Sequence, residues 1–511
     1  MPEFARLLAA ERPAEVALRD ARAALGWRDV GEILDRVANR LLATDLGPRR
    51  RVAVFAENAV ETALAHLGGL LGSASPVPVN YHLNVAEARS SVEASESRIV
   101  FVGPETAERA VAAARGLPDP PLVVGWRCAG VDGVEDWTAW VAGGAVGDPP
   151  LDVIPRPNLL YTSGTTGLPK GTELPPTMFA GGATMVEHID ALKLNRFAAY
   201  GTHLVVGPMY HTGPLSGMRL LVAGKPSVIL DRFDAEATLA AIDRYRTESA
   251  VMVPTHFVRL LALPDEVKAR YDVSSMRLVA HTGAACPIEV KRAMIEWWGP
   301  CFVDAYGATE VGTTCSITSQ EWLEHPGSVG RPIPPFEAVV VDDDDHEVGP
   351  NVEGRLYFRD TTGRGIVYPN DPVKTAAAHI APGVFTLGEI GYVDDDGYVY
   401  ITDRFSDMVV SGGVNIYPAE AEQVLIRHPQ IADVACIGVP HAEMGEELKA
   451  LVVAADPADP PVADEVIAYC REHLSHYKCP RSVEIVTDLG RNSMGKLNKR
   501  SLRASVSGAV G

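Results

Sequence analysis

The sequence predicts an α/β protein: a large N-terminal domain of layered α/β subdomains plus a β-rich subdomain, followed by a small mobile α+β C-terminal domain. Three observations predict it. Short apolar, β-branched runs alternate with helical stretches as far as residue 306, hairpin patterns take over beyond residue 330, and the segment after residue 404 has its own helix and strand signals. At 511 residues the chain can bury a large core. The domain boundaries expected are 1–404 and 405–511.

The elements follow in order. Runs 52–55, 99–102, 204–206, 228–230, 251–253, 278–280 and 302–306 read as strands, and their alternation with helices favours a mostly parallel sheet. An apolar run through Val153, Ile154, Leu159 and Leu160 reads as a strand leading into a Gly-rich loop. One helix begins at Pro287 and ends at Gly299-Pro300, with Val290, Met294 and Trp297 on the face expected to enter the core. Runs 339–341 and 354–358 form a hairpin whose tip, 342–345, is four consecutive Asp residues, expected to face water rather than hold a metal. A second hairpin covers 393–401, turning at Asp394-Asp-Asp-Gly397. Polar residues 403–407 mark a boundary, beyond which 418–428 and 462–474 read as helices and 432–438 and 448–453 as strands.

Composition narrows the function classes. A net charge of −20 argues against nucleic acid or an anionic membrane as the main partner. Seven cysteines without a Cys-x-x-Cys pair or Cys/His cluster read as reduced thiols. Residues 1–20 carry Glu3, Arg6, Glu11, Arg12, Glu15, Arg19 and Asp20 among their apolar positions, unlike a signal peptide, and no run of about 18 apolar residues occurs. A cytoplasmic protein without membrane insertion is expected, and a homodimer is left open.

The richest segment is Tyr161-Thr-Ser-Gly-Thr-Thr-Gly-Leu-Pro-Lys-Gly171. The hydroxyls of Thr162, Ser163, Thr165 and Thr166 can donate to phosphate oxygens, Gly164 and Gly167 let backbone N–H groups approach, and Lys170 adds a cation. Its spacing differs from the common P-loop, because Lys170 is followed by Gly171. A solvated surface turn is the plain alternative for such a loop taken alone.

This segment resembles the phosphate loop of the adenylate-forming superfamily, which includes acyl- and aryl-CoA synthetases, peptide-synthetase adenylation domains and luciferases. Further motifs in the same order extend the resemblance over nearly the whole chain, and with it the acetyl-CoA synthetase-like fold. In Asp304-Ala305-Tyr306-Gly307-Ala-Thr309-Glu310, the resemblance implies that Tyr306 stacks on adenine, Thr309 meets the phosphates, and Glu310, with Thr166, holds Mg²⁺. Gly283-Ala284-Ala285-Cys-Pro287 resembles the wall of the adenine pocket. Phe385-Thr-Leu-Gly-Glu389 matches the segment whose acid accepts from the ribose, with Glu389 where Asp is more usual. Arg404 is implied as a ribose or phosphate contact, Ser406 as the hinge, and Ser411-Gly412-Gly413 as the wall of a CoA channel. Arg491-Asn-Ser-Met-Gly-Lys496 resembles the loop bearing the adenylation lysine, with Gly490 and Asn492 where Pro and Thr are more usual. Lys496 is thus the cation expected between substrate carboxylate and α-phosphate.

Pro208-Met-Tyr210-His211-Thr-Gly213 matches a motif whose histidine lies beside the acyl carboxylate. The same resemblance lines the acyl pocket with Tyr210, His211, Gly213, Thr255 and His256. Ala284, Ala305, Gly307 and Gly312 belong to it as well, and His256 or His281 is expected to add a polar contact. The small residues suggest room for a bulky aryl, polycyclic or medium-to-long acyl acid. The implied enzyme is an ATP-dependent, AMP-forming acid–CoA ligase using ATP, Mg²⁺ and CoA. Transfer to a carrier protein and a non-catalytic nucleotide-binding homologue are the alternatives. No Ser-bearing carrier module is expected after Gly511, an expectation that favours free CoA; a luciferase-like oxygenase rests on fold kinship alone.

Overall fold

The computed structural model describes residues 3–162, 170–174, 179, 181–368, 372–404, 407–411, 414–441, 444–492, 495 and 497–507. It divides into two compact units. The first comprises Met1–Thr282, Ala293–Val303 and Gly307–Thr313; the second comprises Gly283–Arg292, Asp304–Tyr306 and Thr314–Gly511.

Two sheets carry the first unit. One is wholly parallel, with strands in the order Ser75–Pro78, Arg51–Phe55, Ile99–Val102, Leu122–Gly125 and Glu135–Asp136. The other runs Ala24–Gly26, Val16–Arg19, Ser227–Ile229, His203–Val205, Ser249–Met252 and Leu278–His281, continued by Phe302–Ala308. Every pairing from Val16–Arg19 through Leu278–His281 is parallel. Strands buried on both faces need no polar alternation, which is why these segments read as continuous apolar runs. Helices such as Trp27–Ala43 and Val60–Leu71 fill the core with Leu34, Val37, Leu64 and Leu67.

The expected strands are present within three residues of their bounds, except around 153. There Ile154 is 61% exposed, and the strand is only Leu159–Thr162, paired antiparallel with Lys170–Glu173. The return strand escaped notice because Lys170-Gly-Thr-Glu carries no apolar run. In the helix Ile288–Trp298 the buried positions are Lys291, Met294, Ile295 and Trp298, whereas Trp297 is half-buried. The buried stripe therefore sits one residue later than the apolar pattern suggested. Lys291 can occupy it because its ammonium meets Asp304 at 3.2 Å and lies over the Trp322 ring at 4.8 Å.

In the second unit, Phe336–Val341, Gly354–Asp360, Val384–Val393 and Val399–Arg404 form an antiparallel sheet. The Asp tip is a hydrogen-bonded turn in water: Asp342 accepts from the amides of Asp344 and His346, and Asp345 pairs with Arg355. Another sheet of the second unit joins Val409–Ser411, Val414–Ile416, Ile431–His441, Gly445–Ala454 and Ser482–Val486, flanked by Pro418–Leu425 and Ala463–His473. Its core holds Val409, Leu425, Cys436, Ala450 and Cys470. All seven cysteines are free, and among the described residues no helix is long and apolar enough to cross a membrane.

Candidate active site

In parallel sheets ligands gather outside the carboxyl ends of the strands, where loops can turn without burying unpaired backbone. Three adjacent strands of the first unit, Ser227–Ile229, His203–Val205 and Ser249–Met252, send Phe233, the 207–211 turn and His256 to that edge. The turn is pinned from the other sheet by Asn58. Its side-chain amide donates to the carbonyls of Gly207 at 2.9 Å and Leu230 at 3.0 Å, and its carbonyl accepts from the Met209 amide at 2.8 Å.

An aromatic arc surrounds this turn. Tyr81 meets Tyr210 edge to face at 5.3 Å, the Tyr210 and His211 rings lie 4.3 Å apart, and Phe233 stacks on His256 at 4.0 Å. Burial pushes the His211 imidazole down to about 4 and that of His256 to about 3, so both are neutral at physiological pH. His256 accepts from the Val253 amide through Nδ1 at 3.4 Å, closing the first turn of Pro254–Leu261. Thr255 precedes it in the same turn, and buried His281 packs edge-on against Phe257. His211 itself occupies the residue position just before the helix Thr212–Met218, without a side-chain capping bond.

Two small residues do not open the pocket as expected. A Cβ on Gly213 would lie 2.8 Å from Val251 Cγ1, and one on Gly307 would collide with the carbonyl oxygen of Gly312. Their missing side chains admit neighbouring packing and backbone, so they add no room for substrate. Gly312 is buried with φ of 86°, a conformation that favours glycine. Thr309 and Glu310 follow the strand Phe302–Ala308 in a turn and are half-buried.

In the second unit, Gly283, Ala284 and Ala285 form the approach to the helix Ile288–Trp298, with Gly283 at φ of 88°. Tyr306 and Glu389, 83 positions apart in sequence, are joined: the Tyr306 hydroxyl donates to Glu389 Oε2 at 2.9 Å. Glu389 is in register with Arg404 in the antiparallel strand pair. The Asp304 carboxylate holds Lys291, and Ala305 is half-buried beside it. Ser411 is buried and pairs with Gly445.

The strands on either side of residues 163–169 pair antiparallel, with Thr162 opposite Lys170. Behind it, Asn158 donates to the Pro76 carbonyl at 3.1 Å and accepts from buried Arg219. The expectations on Ser163, Gly164, Thr165, Thr166, Gly167, Ser406, Gly412, Gly413 and Lys496, and on the side chains of Thr162, Lys170 and Arg404, lie outside the described residues. Sequence reasoning missed Asn58, Tyr81 and Lys291. A polar Asn soon after the apolar run 52–55, and Tyr81-His82 at the matching place after Ser75–Pro78, were the available signals.

The AMP-binding enzyme model matches residues 6–365, and the AMP-binding enzyme C-terminal domain model matches residues 420–496. The chain belongs to the AMP-binding enzyme family. Relatives of this AMP-binding enzyme include the indoleacetate–CoA ligase of Aromatoleum aromaticum, 30% identical over 97% of this chain and 96% of that protein. Another is the 3-[(3aS,4S,7aS)-7a-methyl-1,5-dioxo-octahydro-1H-inden-4-yl]propanoyl:CoA ligase of Rhodococcus jostii, 32% identical over 92% of each. Among solved structures, ATP-bound MatB from Rhodopseudomonas palustris superposes with a TM-score of 0.80 at 28% identity, over 99% of both chains. The AMP-binding enzyme is an AMP-forming acid–thiol ligase of the acyl-CoA synthetase class, and ATP and CoA are the co-substrates such ligases use.

Proposed function

We propose that the protein activates a bulky aryl, polycyclic or medium-to-long acyl acid as its acyl-AMP and then transfers the acyl group to CoA. The observation that carries the substrate class is the aromatic arc of Tyr81, Tyr210, Phe233 and the two neutral imidazoles around the 207–211 turn. Flat, uncharged rings match a large apolar acid, and neutral histidines orient a carboxylate without trapping it as an ion pair.

In the first step a carboxylate oxygen bonds to the α-phosphorus of ATP as the bond to the β-phosphate oxygen breaks, releasing pyrophosphate. Thr162, Ser163, Gly164, Thr165, Gly167 and Lys170 hold the phosphates and Thr309 meets them. Tyr306, with the 283–285 wall and Asp304-Ala305, receives adenine; Glu389 and Arg404 take the ribose side. Lys496 bridges the two anions as they join, offsetting the charge that develops there. His211 lies beside the acyl carboxylate. Glu310 and Thr166 offer a carboxylate and a hydroxyl, hard oxygens of the kind Mg²⁺ takes, and the ion would offset charge on the departing pyrophosphate.

In the second step the CoA sulfur attacks the acyl carbonyl carbon and AMP leaves. We place the domain boundary at 404/405, so that the C-terminal domain pivots at Ser406, withdraws Lys496 and brings Ser411-Gly412-Gly413 to the thiol path. Seven free thiols suit a cytoplasmic setting.

The test measures the half-reactions of Lys496→Ala separately, with a panel of aromatic, fatty and polycyclic acids. Pyrophosphate release should fall at least a hundredfold, on the scale of losing one transition-state donor, about 10²–10³. Thioester formation from supplied acyl-AMP and CoA should persist. Adenylation near the wild-type rate would overturn the role of Lys496. Pyrophosphate release that CoA never converts to thioester would favour a carrier-protein acceptor.

A further inference from the structure

The bond between Tyr306 and Glu389 gives the carboxylate a task besides meeting the ribose. Glu389 is 7% exposed and sits on Val384–Val393 beside a register shift between Ile390 and Gly391. Just before it, Thr386 accepts from the Gly388 amide at 2.9 Å and donates to the Leu356 carbonyl at 2.8 Å, while Gly388 takes a φ of 93°. This irregular, doubly tied stretch fixes where Glu389 starts. Tyr306 is held from its own side by Thr314, whose hydroxyl donates to the Tyr306 carbonyl at 3.3 Å, and its ring lies 6.0 Å from Phe358. The remaining freedom of the phenol is rotation about its side-chain bonds, and the 2.9 Å bond to Glu389 removes it.

We propose that Glu389 is a positioning residue for Tyr306, the two forming one adenosine clamp, and that this second task accounts for Glu rather than Asp at position 389. The inference rests on the nucleotide site proposed above. A carboxylate has about four lone-pair sites, so accepting from Tyr306 leaves capacity for ribose hydroxyls. Shortening Glu to Asp withdraws the oxygen by about one C–C bond, and a 2.9 Å contact then exceeds hydrogen-bond range. A base stacking on an untethered ring must also order that ring on binding.

The test is a double-mutant cycle of wild type, Tyr306→Phe, Glu389→Asp and the pair on the full-length chain. Binding is titrated calorimetrically with ATP and, separately, with inorganic tripolyphosphate, which probes the phosphate site alone. Each single variant should weaken ATP about tenfold, the scale of one charge-assisted hydrogen bond. The pair should be within about twofold of the weaker single variant, because one bond cannot be lost twice. Tripolyphosphate binding should not change. Glu389→Gln keeps the reach and an acceptor, so adding Tyr306→Phe to it should still weaken ATP. Single effects that multiply in the pair would overturn the coupling while leaving both residues in the nucleotide site. Unchanged ATP affinity in both single variants would overturn their assignment to that site as well. Weakened tripolyphosphate binding would show a general loss of structure and overturn the clamp.

Discussion

Asn58→Ala should detach the turn that carries His211 from the neighbouring sheet. Asn58 is 3% exposed and makes three bonds, to the Gly207 and Leu230 carbonyls and from the Met209 amide. A net value of about 1 kcal/mol per bond sets the loss near 3 kcal/mol, more if the backbone groups stay buried without partners. In a folding unit of this size about 2 °C accompanies each kcal/mol, so the melting temperature should drop by about 6 °C. Scanning calorimetry and urea melts of the full chain measure this, and the KM for the best acid should rise because His211 moves with the turn. Asn58→Asp is the stricter variant. It keeps the acceptor for Met209 but turns a second carboxylate oxygen toward two carbonyls, so at neutral pH it should cost more than Asn58→Ala. A melting temperature for Asn58→Ala within about 1 °C of wild type would refute the reasoning.

Two further outcomes are expected. His66, His203 and His256 are pushed by burial down to about 3. A lowered folded-state value means the unfolded chain binds more protons below the ordinary value of 6.5, so stability is full above it and lost as pH falls toward 3. At pH 5 each histidine should cost about 2 kcal/mol, read as falling urea midpoints between pH 7 and pH 5; midpoints flat across that range would contradict their buried, neutral state. Gly307→Ala should lose about 2 kcal/mol or more in the same melts, since its Cβ would strike the Gly312 carbonyl, and adenylation should fall with it; a variant matching wild type in both would show that the backbone at Gly312 yields freely.

Much of this protein was legible in its sequence for reasons that are local. Parallel strands buried on both faces announce themselves as apolar runs, so 99–102 and 278–280 were found almost to the residue. The Asp tip and the turn at 394–397 follow from turn chemistry. Reading failed where contacts made by distant residues decide the outcome. Lys170–Glu173 is a strand because Leu159–Thr162 lies beside it, Lys291 is buried because Asp304 and Trp322 receive it, and Gly213 is small because Val251 needs the space.

The same division holds at the site. The order of its motifs determined the family and the acid–thiol ligase chemistry and pointed to the residue types proposed to meet each substrate, because that chemistry demands particular groups at particular backbone positions. Only the tertiary structure decided that Asn58 anchors the His211 turn, that the imidazoles there are neutral, and that Tyr306 is tied to Glu389. Hydrogen bonds and desolvation act through distances in space, and separations of 83 and 151 positions carry no trace of them along the chain.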